Sequence, residues 1–140
     1  MVRARAYGLT PEVKDKGTVP EILEFIMSAY KKEILKILFK HIPRDNCVVF
    51  IFGSFTKSKV YPSSDIDIGI ICDTALGNSA LVKIKEDLAD IRTLRDIDLV
   101  DFSSITDKNF LKIALKEVTI WHQTKKSKAF LTNLRKQING

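Results

Sequence analysis

Two strand-length apolar runs, joined by a connection too short for a regular crossover, do most to restrict what this chain can fold into. Val48-Val49-Phe50-Ile51-Phe52 runs into Gly53-Ser54, and after ten more residues Asp65-Ile66-Asp67-Ile68-Gly69-Ile70-Ile71 begins. Only twelve residues separate Phe52 from Asp65, and Pro62 is among them. A parallel crossover takes a dozen or more residues, normally a helix. A regular doubly wound sheet is therefore disfavoured. The order helix, strand, helix, strand, helix, strand, helix is read as α+β, a small mixed sheet with helices packed mainly on one face.

The flanking elements follow from spacing. Thr18-Val19-Pro20-Glu21 combines a capping residue, a proline tolerated in the first turn and a capping-box glutamate. Ile22, Phe25, Ile26, Ala29, Tyr30, Ile34, Ile37 and Leu38 then recur at helical spacing, and Pro43 ends that helix by Ile42. The strands are expected over 47–52, 65–72 and Asp96 to Phe102, with Val118 to Trp121 a short edge strand. Helices are expected from Asn78 or Ser79, over 106–117, and along the Phe130, Leu134, Ile138 stripe, which should pack on its own domain. Residues 54–64 read as a helical turn plus loop. The domain plan is a flexible tail over 1–17, one globular unit over 18–122, and a basic tail with a short amphipathic helix over 123–140.

Composition bounds the setting. The 140 residues suit one domain, and 45% apolar content supplies a core. No apolar run approaches the roughly 20 residues of a membrane span, and no signal-length stretch follows the basic N-terminus, so a cytoplasmic protein is expected. Cys47 and Cys72 are read as separate buried thiols. The net charge of +6 is uneven. Residues 47–106 hold six Lys/Arg against nine Asp/Glu, whereas 107–140 hold eight against two. An acidic middle between basic ends suits a polyanionic ligand held through a metal.

The chemistry lies in that middle. Strand alternation puts Asp65, Asp67 and Gly69 on one face, with the carboxylates roughly 6–7 Å apart at Cα, and the isoleucines on the other as the core face. Paired carboxylates repel unless a cation lies between them, and Mg²⁺ takes one or two carboxylates and completes its shell with water and phosphate oxygens. Gly53 permits a sharp turn and close backbone approach. Ser54 offers a hydroxyl at a helical turn, where free N–H groups attract phosphate. On the next strand Asp96 and Asp98 share a face and Asp101 points away; Asp98, flanked by Ile97 and Leu99, is the best third acid. His41 and His122 are read as surface residues.

Gly-Ser, ten residues, Asp-x-Asp and a later strand Asp together resemble the nucleotidyltransferase superfamily that includes DNA polymerase β, and the small size resembles its minimal nucleotidyltransferase branch. The resemblance covers roughly residues 20–121. It implies that Gly53 and Ser54 hold the β- and γ-phosphates, with Lys57 adding positive charge. It implies that Asp65 and Asp67 ligate two Mg²⁺ ions, and that Asp98 ligates the catalytic ion and helps deprotonate the acceptor. The implied reaction transfers AMP from ATP, or a nucleoside monophosphate from another triphosphate, to a hydroxyl. The implied acceptor is a tyrosine of a small helical HEPN-type partner, for which this chain would be the antitoxin. Phe55-Thr56-Lys57-Ser58-Lys59 departs from the family's frequent Arg-x-Arg-Gly, which leaves a second reading: a nucleotide- or partner-binding module with weak turnover or none. RNA contact, a third reading, has only the basic pI behind it.

Overall fold

A computed structural model describes residues 19–53, 65–91 and 96–139, with the backbone alone over 19–27. The tail over 1–17, the turn and loop over 54–64, and with them Ser54 and Lys57, lie outside the described residues. The chain divides into two compact units, Met1–Glu33 and Ile34–Gly140. The described part of the first is helical, the start of α1 (Val19–Leu38). The second holds the end of α1 and the whole sheet.

The strands of this second unit are β1 (Cys47–Phe52), β2 (Ile66–Cys72), β3 (Ile97–Asp101) and β4 (Thr119–His122), in the sheet order β3-β2-β1-β4. β1 pairs antiparallel with β2 and with β4, and β2 pairs parallel with β3. The sheet is thus mixed, as the short β1–β2 connection requires, and β4 is an edge. The one parallel step is spanned by α2 (Asn78–Ala89), long enough for a crossover. α3 (Lys108–Ala114) and α4 (Lys128–Asn139) complete the chain.

Both faces of the sheet carry buried residues, and this revises one expectation. On the first face Val48, Phe50, Phe52, Ile71 and Phe102 pack with Leu111, Ala114 and Leu115 of the α3 region and with Leu131 and Leu134 of α4. Phe130 and Ile138 join the same cluster, so the last stripe does pack on its own domain. On the second face Val49, Ile51, Ile66, Ile68 and Ile70 are buried, as are Ile34, Leu38, Ile84 and Leu88 of α1 and α2. The isoleucines of β2 are therefore not the only core face: the face carrying Asp67 is buried too at Gly69 and Ile71. The signal was in β1, where six consecutive apolar residues are all buried; a strand buried on both sides shows no alternation.

Gly69 fits this two-sided packing. It lies opposite Phe50 in the β1–β2 register. A Cβ at Gly69 would come within 2.5 Å of Phe50 Cε2 and 2.8 Å of Phe102 Cε1. Phe102 in turn has ring centroids 5.1 Å from both Phe50 and Phe52, so the missing side chain makes room for the aromatic cluster.

The cysteines are a correction. Antiparallel pairing places Cys47 opposite Cys72 with Cα atoms 4.3 Å apart, and the two form a disulfide. A separation of 25 residues gives no hint of this in the sequence; it arises from the register alone.

The C-terminal segment is held by short polar ties. Thr124 and Ser127 cap the approach to α4 reciprocally: Ser127 N donates to Thr124 Oγ1 (3.0 Å) and Thr124 N to Ser127 Oγ (2.8 Å). Thr124 Oγ1 also donates to the Asp45 carbonyl. His122 Nε2 donates to the Arg44 carbonyl at 2.8 Å, and His41 Nε2 pairs with Asp87 at 2.9 Å. Both histidines are thereby engaged in local structure away from the acidic residues of the sheet.

Candidate active site

β1 ends where β2 begins, because the two are antiparallel, and β3 begins at the same end, because it runs parallel to β2. Gly53, Asp65, Asp67 and Asp98 are therefore gathered at one end of the strands. Phe52 lies opposite Asp67 on one side and Asp98 lies opposite Asp67 on the other. Neighbouring strands are about 4.8 Å apart, so Asp67 and Asp98 stand side by side on one face. Asp65 is exposed and sits just before the first residue of β2.

The electrostatics follow from that placement. Burial raises the Asp67 carboxyl above its ordinary value, and the charges of Asp98 and then Asp65 raise it further. Three carboxylates thus act on one point. Among the described residues no group of three or more acidic, cysteine or histidine side chains is drawn tightly enough to hold a metal ion by itself. The donor set still suits a hard cation: carboxylate oxygens only, two of them paired across a ladder, in a place where a positive charge relieves repulsion.

Gly53 has φ +80°, the left-handed region that side chains disfavour. A Cβ built there would collide with the Asp67 Oδ2 atom. The glycine after β1 therefore does two things: it lets the chain turn, and it leaves room for the Asp67 carboxylate. The turn was legible in the sequence. The clearance was not, since it depends on the Phe52–Asp67 register.

Asp96 and Asp101 are separated from this site. Asp96 is exposed, and its carbonyl extends the β2–β3 ladder by accepting Ile66 N at 2.8 Å. Asp101 is 7% exposed. Its carboxylate accepts Leu76 N and Ser103 N, each at 2.9 Å, while Ser103 Oγ accepts Cys72 N at 2.8 Å. It locks the far end of β3 to the segment leaving β2. Sequence parity excluded Asp101 from the acid cluster; this structural tie was not anticipated.

The sequence model of the family "Polymerase beta, Nucleotidyltransferase" matches residues 32–126, which contain the whole sheet and every described acid above. The chain belongs to this family. Among curated relatives, this chain is 28% identical over 91 residues to the protein adenylyltransferase MntA of Shewanella oneidensis. The match covers 65% of this chain and 64% of that protein, so the chain spans less than two thirds of that relative's length. Solved structures share the fold. One is a mutant MntA-containing toxin–antitoxin pair (TM-score 0.61, 21% identity, 78% of this chain and 86% of that one). A second is the tri-AMPylated Shewanella oneidensis HEPN toxin in complex with MNT antitoxin (0.57, 21%, 81% and 89%). A third is a toxin–antitoxin structure with AMP-PNP (0.59, 22%, 78% and 86%). The minimal-nucleotidyltransferase resemblance and the mixed α+β fold both stand.

Proposed function

We propose that this chain transfers a nucleoside monophosphate, AMP from ATP, to a hydroxyl on a HEPN-type protein partner, and so acts as the antitoxin of a toxin–antitoxin pair. The observation that carries the reading is the Asp67–Asp98 pair in register across β2 and β3, with Gly53 cleared of side chain beside it. The names of the relatives, an adenylyltransferase and an AMPylated HEPN toxin with its antitoxin, supply the donor and the acceptor class.

In this reading Asp65, Asp67 and Asp98 would hold Mg²⁺, two ions by family resemblance; the bound metal would neutralise charge on the triphosphate. Gly53 and Ser54 would receive the β- and γ-phosphates through backbone N–H groups and the hydroxyl, with Lys57 adding charge. The acceptor oxygen attacks the α-phosphorus in line. A new O–P bond forms, the bond from the α-phosphorus to the bridging oxygen breaks, and pyrophosphate leaves with that electron pair. Asp98, exposed beside Asp67, would take the hydroxyl proton. A protein of this kind works in the cytoplasm.

The test incubates the chain with ATP labelled at the α-phosphate, Mg²⁺ and the neighbouring gene's product. Label should appear on the partner and disappear with Asp65→Ala/Asp67→Ala. Equal labelling by wild type and variant, or none with any nucleoside triphosphate, contradicts the reading. Partner binding without pyrophosphate release would favour the non-catalytic module instead.

A further inference from the structure

Three large apolar side chains are exposed among the described residues, and two of them, Phe110 (38%) and Ile113 (76%), lie on α3. They are three residues apart and hence neighbours on one helix face. The other side of α3, through Leu111 and Ala114, is committed to the core. Phe110 is no loose surface residue: its ring stacks on Phe102 with centroids 5.7 Å apart, which joins the patch to the aromatic core.

The charge around this pair has one dominant sign. Lys108, Lys112 and Lys116 recur every fourth residue along α3 and its extension, all exposed. Lys116 N still donates to the Ile113 carbonyl, so the turn continues past the helix end. α4 is fastened beside it by Arg135, whose guanidinium donates to the Leu115 carbonyl at 3.1 Å. From 107 onward there are eight basic residues and two acids. One of those acids, Asp107, is already occupied in capping α3 through Asn109 N and Phe110 N.

We infer that the α3–α4 face is a docking surface for a protein partner whose contacting surface is acidic around a central apolar side chain. The apolar side chain seats on Phe110 and Ile113, and carboxylates meet Lys112 and Lys116, which flank Ile113. Charge selects this occupant over the two that the chain itself could supply. Residues 1–17 carry four basic residues against two acidic ones and would bring like charge; a second copy could offer only its acidic middle, against a net +6 on each chain. A nucleic acid would suit the lysines but has no use for a protruding isoleucine. The inference takes the identity of the probe partner, the HEPN-type protein, from the proposed function.

The test measures the affinity of the full chain for that partner by calorimetry at low and high salt. Wild type, Ile113→Ser and Lys112→Glu/Lys116→Glu are compared, with thermal melting as the control for folding. Both variants should melt like wild type, since the altered side chains are exposed. Each should weaken binding about tenfold or more, and the charge reversal should also flatten the salt dependence. Wild-type binding that both variants retain overturns the surface and leaves the proposed transfer standing. A wild type that does not bind the partner at all overturns the partnership and this surface with it. Salt-sensitive RNA binding lost in the charge reversal, with partner affinity unchanged, overturns the protein assignment in favour of nucleic acid.

Discussion

Asp98 and Asp101 are the same residue type on the same five-residue strand, yet they live under opposite conditions. Asp101 is buried and met by two backbone N–H donors. Asp98 is exposed and stands beside Asp67. A buried carboxylate is tolerable when donors satisfy it, and it then ties structure together. A carboxylate set beside another repels it, and a cation between the two relieves that repulsion. Three residues along β3 separate a fastened carboxylate from an exposed one, and the difference is the surroundings, not which residue is present.

The sharpest way to break the comparison is to exchange the consequences. Asp98→Asn should reduce AMP transfer more than about 100-fold, at least the scale of losing a metal site's supporting interactions, while the melting temperature stays near that of wild type. Label transfer and calorimetric melting check both halves. Asp101→Ala should do the reverse. It strands Leu76 N and Ser103 N and should cost about 2–4 kcal/mol in denaturant unfolding; Asp101→Asn, which keeps one acceptor, should cost less.

Gly69→Ala tests the buried face between the two ends. The added methyl would press on Phe50 and Phe102, and a loss of about 1–3 kcal/mol is expected. The smallest effect carries the opposite sign. Burial and its acidic neighbours raise the Asp67 carboxyl, so its charged form costs the metal-free fold stability. That cost is complete above the raised folded-state pKa and is relieved as pH falls through it toward the ordinary value of 3.8. Metal-free Asp67→Asn should therefore melt slightly higher than wild type at neutral pH, by about 1–3 °C given solvent screening. The gap should close as the solution is acidified. A variant that melts lower at neutral pH would contradict the electrostatic reading of the pair.

Much of this was legible before any coordinates. Strand parity separated Asp98 from Asp101, and the short β1–β2 connection implied a mixed sheet. Helical spacing marked Ile34 and Leu38, and the Phe130–Ile138 stripe. What stayed hidden depended on register and on three-dimensional company. Cys47 meets Cys72, and the Gly53 clearance meets the Asp67 carboxylate, only once β1 and β2 are aligned. Burial on both sheet faces could have been suspected from the unbroken apolar run of β1. The Asp101 tie could not, because its donor Leu76 N belongs to a segment with no pattern of its own. Ser54 and Lys57 remain expectations from motif, and activity assays of Ser54→Ala and Lys57→Ala address them.

The central claim is that the β2–β3 acid pair, and not the carboxylate at the far end of β3, makes a metal-dependent nucleotide site. Calorimetric titration of ATP with and without Mg²⁺, on wild type, Asp98→Asn and Asp101→Asn, tests it most directly. The account predicts Mg²⁺-dependent binding by wild type and Asp101→Asn, and its loss by about tenfold or more in Asp98→Asn. Wild-type-like binding by Asp98→Asn, or an equal loss in folded Asp101→Asn, would contradict it.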